Sequence, residues 1–374
     1  MTDSLPLRDR RENEPRKMSR RAALKYLSSL GVAAAASYLA GCVPTAASPT
    51  ATPPPTAAAT ARASNTVVVY SALNETTNNA FIAAFRAANP GMEVALLPIA
   101  ASGDVQARII AEKDSPRADV FVGGSSEFHD PLGKAGLLEA YQSPNTASIP
   151  PVYRDPNGFW AGWYLGIFGM GLNTERFKVM KNVKKPATWD DLLDPAWKGQ
   201  IILPDPVRTG GGFIFLATQV FRFNRDEDQA MGYMKKLHPN IAQYVGNSPQ
   251  GVQFVSLGAY TVGPNWVHDI LSAKSQGNPI EAVVPEMTGF EIGAVSIIKG
   301  GPNTAGAKTF VDWVLSRQAA ELNVKLSNRL SVLAYVPPAP GAPTLDQVKL
   351  VDYDRAWATD NKDRLIKKWQ AAVG

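Results

Sequence analysis

Cysteine is almost absent from this chain. Among 374 residues only Cys42 carries a thiol, so no internal disulfide can form and no thiolate pair is available for chemistry. Histidine is nearly as scarce: there are three, and none of the others lies within 29 residues of His268. A zinc set of His, Cys and acids at fixed spacing is therefore missing, and no metal or other cofactor is expected. The chain also lacks a GxSxG elbow, an SxxK pair, a Walker loop and a GxGxxG fingerprint. No apolar run is long enough to span a bilayer.

The formal net charge of +5 suggests an anionic partner until its distribution is read. Residues 1–41 hold eight Lys/Arg against four Asp/Glu, and 42–65 add only Arg62. That leaves 29 basic and 29 acidic residues in 66–374, with no basic stripe. A nucleic-acid partner is excluded on this ground.

What the chain does carry begins with an address. "SRRAALK" (Ser19 to Lys25) places twin arginines before an alanine-rich stretch that ends in "LAGC", Leu39 to Cys42. The apolar part, about fifteen residues, suits an export signal better than a membrane span. Twin arginines with modest hydrophobicity read as a signal for exporting folded protein. "LAGC" reads as a lipoprotein cleavage box, making Cys42 the lipid-bearing first residue of the mature chain. Residues 43–65 follow, with five Pro, five Thr and eight Ala among 23 residues. They cannot bury a core and read as a tether of roughly 70 Å if extended. The expected boundaries are 1–41 for the signal and 42–65 for the tether, with anchorage on the outer face of the cytoplasmic membrane.

The folded part opens with three similar units. The apolar strands "TVVVY" (66–70), "MEVALLPI" (92–99) and "ADVFVGG" (118–124) each precede a helix-period run. Such alternation predicts an α/β fold with mostly parallel sheets flanked by helices. The strand-to-helix turns carry Ser71 and Asn74, then Ser102, then Ser125 and Ser126. Any one of these is accounted for as a helix N-cap. Together they also suit a polar cradle at one sheet edge, where helix N-termini favour an anion. A fourth turn, between "GQIILPDP" and "FIFLATQVF", adds Thr209, Gly210 and Gly211, whose backbone can approach an anion closely. The glycine-marked apolar segments 158–173 and 289–300 are expected to cross between two lobes as a hinge, with Glu291 on the second crossing. "AKTFVDWVLSRQAAELNVKL" reads as helical, and the tail after "PPAPGAP" as surface structure.

"TVGPNWVHDIL" (261–271) poses the central question: is His268–Asp269 a catalytic dyad, half of a metal site or a polar clamp? Neighbours on a strand face opposite sides, so a relay needs a turn, and no nucleophile motif accompanies them. His268 as a core histidine and Asp269 as a helix cap stand as the structural alternative. Enzymatic activity is not expected, with hydrolysis the competing reading.

The export signal, lipobox and tether, with "VVVYSALNE", "ADVFVGGSSE", "ATWDDLLDPAWKGQIILPDP" and "GFEIGAVSIIKGGPNTAGAKTFVDWVLS", resemble the type 2 extracytoplasmic solute-binding proteins of ABC importers. That class includes ferric-ion, thiamine, aminoethylphosphonate and hexose-phosphate binders, and the resemblance covers about residues 66–322. It implies two α/β lobes, 66–160 with 292–318 and 161–291 with 319–374, joined by two crossings. It further implies a monomer that captures a small ligand and delivers it to a membrane permease. Ferric binders of the class carry adjacent tyrosines where this chain reads "GPNWVHDI", and none of its 11 tyrosines adjoins another. The hexose-phosphate branch fits better. There His268, Asp269 and Glu291 would hold sugar hydroxyls, while Ser71, Ser102, Ser125, Ser126 and Thr209 would hold phosphate. Trp163 or Trp266 could cover the apolar face of the sugar.

Overall fold

The computed structural model describes residues 65–99 and 101–374; the twin-arginine segment, Cys42 and, apart from Asn65, the tether lie outside the described residues. In chain order the first half comprises β1 (Thr66–Ser71), α1 (Glu75–Ala88), β2 (Glu93–Pro98), α2 (Ser102–Ala111), β3 (Val120–Ser125), the short α3 (Asp130–Lys134) and β4 (Leu138–Glu139). The long β5 (Ala161–Asn173) leads to α4 (Thr174–Val179), β6 (Ile201–Pro204), α5 (Gly210–Arg222), α6 (Glu227–Leu237), β7 (Ile241–Val245), α7 (Ser248–Ser256), β8 (Val262–Trp266), α8 (Val267–Ser275) and β9 (Ile280–Val283). Then follow β10 (Phe290–Ile298), α9 (Thr304–Val314), α10 (Arg317–Ser327), β11 (Leu330–Ser331), α11 (Arg355–Asp360) and α12 (Lys362–Val373).

The strands run in the order β2-β1-β3-β10-β5-β8-β6-β7. Pairing is parallel at the two outer parts, β1 with β2 and β3, and β6 with β7 and β8. It is antiparallel in the middle, where β10 and β5 pair with each other and with β3 and β8. The sheet is thus mixed and not simply parallel, because both crossing segments are themselves strands. Every residue of β5 is buried, as its apolar, glycine-marked sequence requires for a strand covered on both faces. At Gly293 of β10 the ring of Tyr164 occupies the space a Cβ would take, which explains a glycine inside this buried strand.

Two large cores flank the crossing strands. One gathers Phe81 and Phe85 of α1 with Trp163 of β5 and Phe310 and Trp313 of α9. The other gathers Phe168 and Met170 of β5 with Trp189, Trp197, Phe213 and Phe215. The chain therefore forms two α/β lobes joined through β5 and β10.

Three expectations change in detail. The run 307–326 is two helices, because the Ser316 hydroxyl accepts the Ala319 N–H and starts α10 afresh. The segment 319–374 contributes residues to both cores. Ala319, Ala320 and Val324 pack in the first core, whereas Val351, Leu365 and Trp369 pack in the second. Nor is the tail mere surface: Trp369 lies edge-on to Tyr244 at 5.3 Å and is buried against the second core. Trp369→Ala should cost about 3–5 kcal/mol of stability, read by denaturant unfolding. A variant as stable as the parent would show that the tail is dispensable to that core.

Candidate functional site

The lobes meet across a cleft whose two lips differ. At one lip they touch: the Gly103 N–H at the start of α2 donates to the Arg208 carbonyl at 2.9 Å. Arg208 also reaches back to Asp104, with Nη2 2.6 Å from Oδ2 and Nε 3.2 Å from Oδ1. At the other lip a groove of about 860 Å³ lies open between the first turn of α1 and helices α7 and α8. Between them sits a narrow polar cavity of about 40 Å³.

Most walls of this cavity come from strand ends and helix starts. The first lobe supplies Asn74, Ser102 and Gly124; the second supplies Thr209, Gly210, Ser248, Trp266 and Asp269. Tyr164 and Glu291 come from the crossing strands, and Arg329 from the loop before β11. The helices α2 and α5 therefore point their N-termini into one space from opposite lobes. That geometry brings partial positive charge from both to one small space.

The expected site residues divide into two groups. Asn74, Ser102, Thr209, Gly210, Asp269 and Glu291 line the cavity together. Ser71, Ser125, Ser126, Trp163, Gly211 and His268 do not. The Ser71 hydroxyl donates to Asn78 Oδ1 at 2.6 Å and accepts from the Leu73 N–H, so its bonds close inside the first lobe. Ser126 turns to Glu127 at 3.3 Å. Ser125 is buried directly behind Gly210, and its hydroxyl has no hydrogen-bond partner among the described residues. Trp163 packs edge-on to Phe81 at 5.1 Å inside the first core, leaving Tyr164 and Trp266 as the aromatic walls. Gly211 lies beside Ser248 and Trp266.

Capping accounts for only some of the turn residues. Asn74 accepts from the Thr77 N–H, and Thr209 accepts from the Gly212 N–H while donating to the Asp205 carbonyl. Ser102 does not cap. The cap of α2 is Ala101, and the Ser102 side chain faces the cavity one residue inside the helix.

His268 and Asp269 occupy the first turn of α8 immediately after β8, so they leave the strand by a helix start and not by a bend within it. Successive helical positions point about 100° apart. Asp269 accordingly faces the cavity, while His268 stacks parallel to Trp266 at 6.1 Å and lies behind Glu291. Glu291 and His268 both press on Gly166, where a Cβ would stand 2.8 Å from Glu291 Oε1 and 3.0 Å from His268 Cε1. His268 Nε2 and Asp269 Oδ1 are 3.6 Å apart. Burial pushes each toward its neutral form, the imidazole well below its ordinary range and the Asp269 carboxyl above it.

Glu291, 3% exposed, is pushed up to about 8 by burial, with the Asp269 and Glu127 carboxylates adding and Arg329 and Arg355 opposing. Arg329, Tyr164 and Ser248 escaped the sequence reading. Each stands in a stretch without a recognisable motif, and only the fold brings them to the cleft. Among the described residues no group of three or more His, Cys, Asp or Glu is placed to hold a metal ion.

A carboxyl raised in the folded state keeps a proton that the unfolded chain releases above its ordinary value of 4.5. Stability without ligand should therefore fall as pH rises from about 5 to about 8 and level off beyond. Asp269 contributes in the same direction. Thermal unfolding of Glu291→Gln across that window should show a shallower fall; a fall as steep as the parent's would exonerate Glu291.

The sequence matches the family described as "Bacterial extracellular solute-binding protein" over residues 115–358. An uncharacterized protein of Haemophilus influenzae is 36% identical over 281 residues, covering 73% of this chain and 81% of that one. The fructose-6-phosphate-bound periplasmic binding protein AfuA of Actinobacillus pleuropneumoniae superposes with a TM-score of 0.79 at 35% identity, covering 83% of this chain and 99% of that one. The periplasmic binding protein P5PA superposes at 0.78 with 31% identity and the same coverage. The fold is the type 2 periplasmic-binding-protein fold. This chain belongs to the bacterial extracellular solute-binding proteins, the non-enzymatic components that capture small ligands for ABC importers.

Proposed function

We propose that this protein captures a sugar phosphate in the cleft and hands it to its permease, while tethered through Cys42 to the outer face of the cytoplasmic membrane. One observation carries the ligand reading. The N-termini of α2 and α5 enter one cavity from opposite lobes, and the carboxyls of Asp269 and Glu291 line the same space. Helix starts and the Ser102 hydroxyl suit a phosphate; carboxyls suit vicinal hydroxyls. AfuA, 35% identical, was solved with fructose 6-phosphate bound, which supports the same ligand class here. The tether reading rests on "SRRAALK" and "LAGC".

The arrangement of the two lips suits capture as well. With β5 and β10 as the crossings, the Gly103–Arg208 lip holds the lobes together on one side, and the groove on the other leaves a path to the cavity. The lobe division is best drawn so that 319–345 moves with the first lobe and 346–374 with the second.

Calorimetric titration with fructose 6-phosphate is the first test. Asp269→Asn keeps the size of the side chain and replaces one accepting oxygen with an amide donor. It should weaken binding by about 1–3 kcal/mol, roughly fivefold to more than a hundredfold. An unchanged dissociation constant would take Asp269 out of the site. A parent protein that ignores the sugar phosphate but binds 2-aminoethylphosphonate or thiamine would replace the ligand class. For the tether, Cys42→Ser should move the protein from the membrane to the soluble extracytoplasmic fraction; retention on the membrane would contradict lipidation at Cys42.

A further inference from the structure

One charged wall of the cavity has no task in the reading above. Arg329 follows α10 through Asn328, whose left-handed backbone (φ 55°) turns the chain toward β11. Its side chain is 5% exposed, and its Nε and Nη1 have no hydrogen-bond partner in the protein. Among the described residues it forms no ion pair. Its guanidinium lies over the Tyr164 ring at 4.8 Å, held there by the ring face. The tyrosine is itself fixed, because its hydroxyl accepts the Gly124 N–H at 3.2 Å.

A guanidinium buried without an anion is costly. Desolvating such an ion carries a penalty of several kcal/mol that only a well-placed counter-charge offsets. Asp269 and Glu291 line the same cavity, and the Arg329 charge opposes the effect of burial on both, yet among the described residues no ion pair or hydrogen bond joins either carboxyl to the guanidinium. The net result is a fixed, forked donor facing a space that two helix N-termini also make positive. A planar fork of this kind matches the oxygens of a phosphate two at a time.

We infer that Arg329 is the residue that selects the phosphate, its free fork gripping the ligand's phosphate across from the starts of α2 and α5. This rests on the sugar-phosphate reading and goes beyond it by naming what separates a sugar phosphate from the parent sugar. The assignment has an unusual consequence for stability. A side chain kept for a ligand, at a cost to the fold, should be replaceable with no loss of ligand-free stability. A side chain kept for the fold should not.

The test uses the full chain, with Arg329→Met and Arg329→Lys. Fructose 6-phosphate, fructose and inorganic phosphate are titrated by calorimetry, and ligand-free thermal unfolding is measured in parallel. The parent should bind fructose 6-phosphate at least about a hundredfold more tightly than fructose. Arg329→Met should lose about a hundredfold for fructose 6-phosphate and nothing for fructose, with a ligand-free midpoint equal to or above the parent's. Arg329→Lys, which keeps the charge without the fork, should fall between. If the parent binds fructose 6-phosphate and Arg329→Met binds it equally well, the inference fails while the sugar-phosphate reading stands. A lowered ligand-free midpoint in Arg329→Met would likewise overturn it, by showing that Arg329 serves the fold. If the parent binds neither fructose 6-phosphate nor phosphate, both fall together.

Discussion

The pairing of β5 with β10 is the constraint from which the rest of the structure hangs. Their register runs from Phe290 opposite Ile167 to Val295 opposite Ala161, so two adjacent antiparallel strands pass between the lobes. Nearly all of their residues are buried, and the few small ones decide what fits on either face. Glu291 stands opposite Gly166, and the missing side chain there leaves room for both Glu291 and His268. Gly293 stands opposite Tyr164, whose ring fills the gap and then carries Arg329. The cavity floor is thus a direct product of glycine placement along two strands that must also hold the lobes together.

The site combines groups that the interior of a protein normally avoids. Asp269, Glu291 and Arg329 are all nearly inaccessible, yet none is held in an internal ion pair within hydrogen-bonding reach. The two carboxyls respond by tending toward their neutral forms. Contrast the Glu127–Arg355 pair near the same crossings, where Arg355 also donates to the Phe290 carbonyl and the charge is satisfied. The unsatisfied groups in the cleft are the ones our proposal assigns to a polar ligand.

Much of this architecture was legible in the residues. Continuous apolar strands, helix-period runs and two glycine-marked crossings each announce a local structure through side-chain burial, and the fold contains them. The turn residues were less legible. Ser71, Ser102 and Ser125 look alike in sequence, but their hydroxyls end in a closed internal bond, a cavity wall and a buried pocket behind Gly210. A one-residue difference in where a helix begins decides among these fates, and no propensity resolves it. His268 and Asp269 parted for the same reason, since a helix start sends neighbours in different directions. Arg329 was invisible because its partners, Tyr164 and the cavity, lie far from it in the chain.

The central claim is that the closed cleft holds a phosphorylated sugar by its phosphate. Phosphorus-31 NMR of fructose 6-phosphate, titrated with the purified protein, addresses it most directly. The account predicts a saturable shift or broadening of the phosphate resonance at one ligand per chain, not displaced by excess fructose. A resonance that stays at its free position with protein in excess would contradict it.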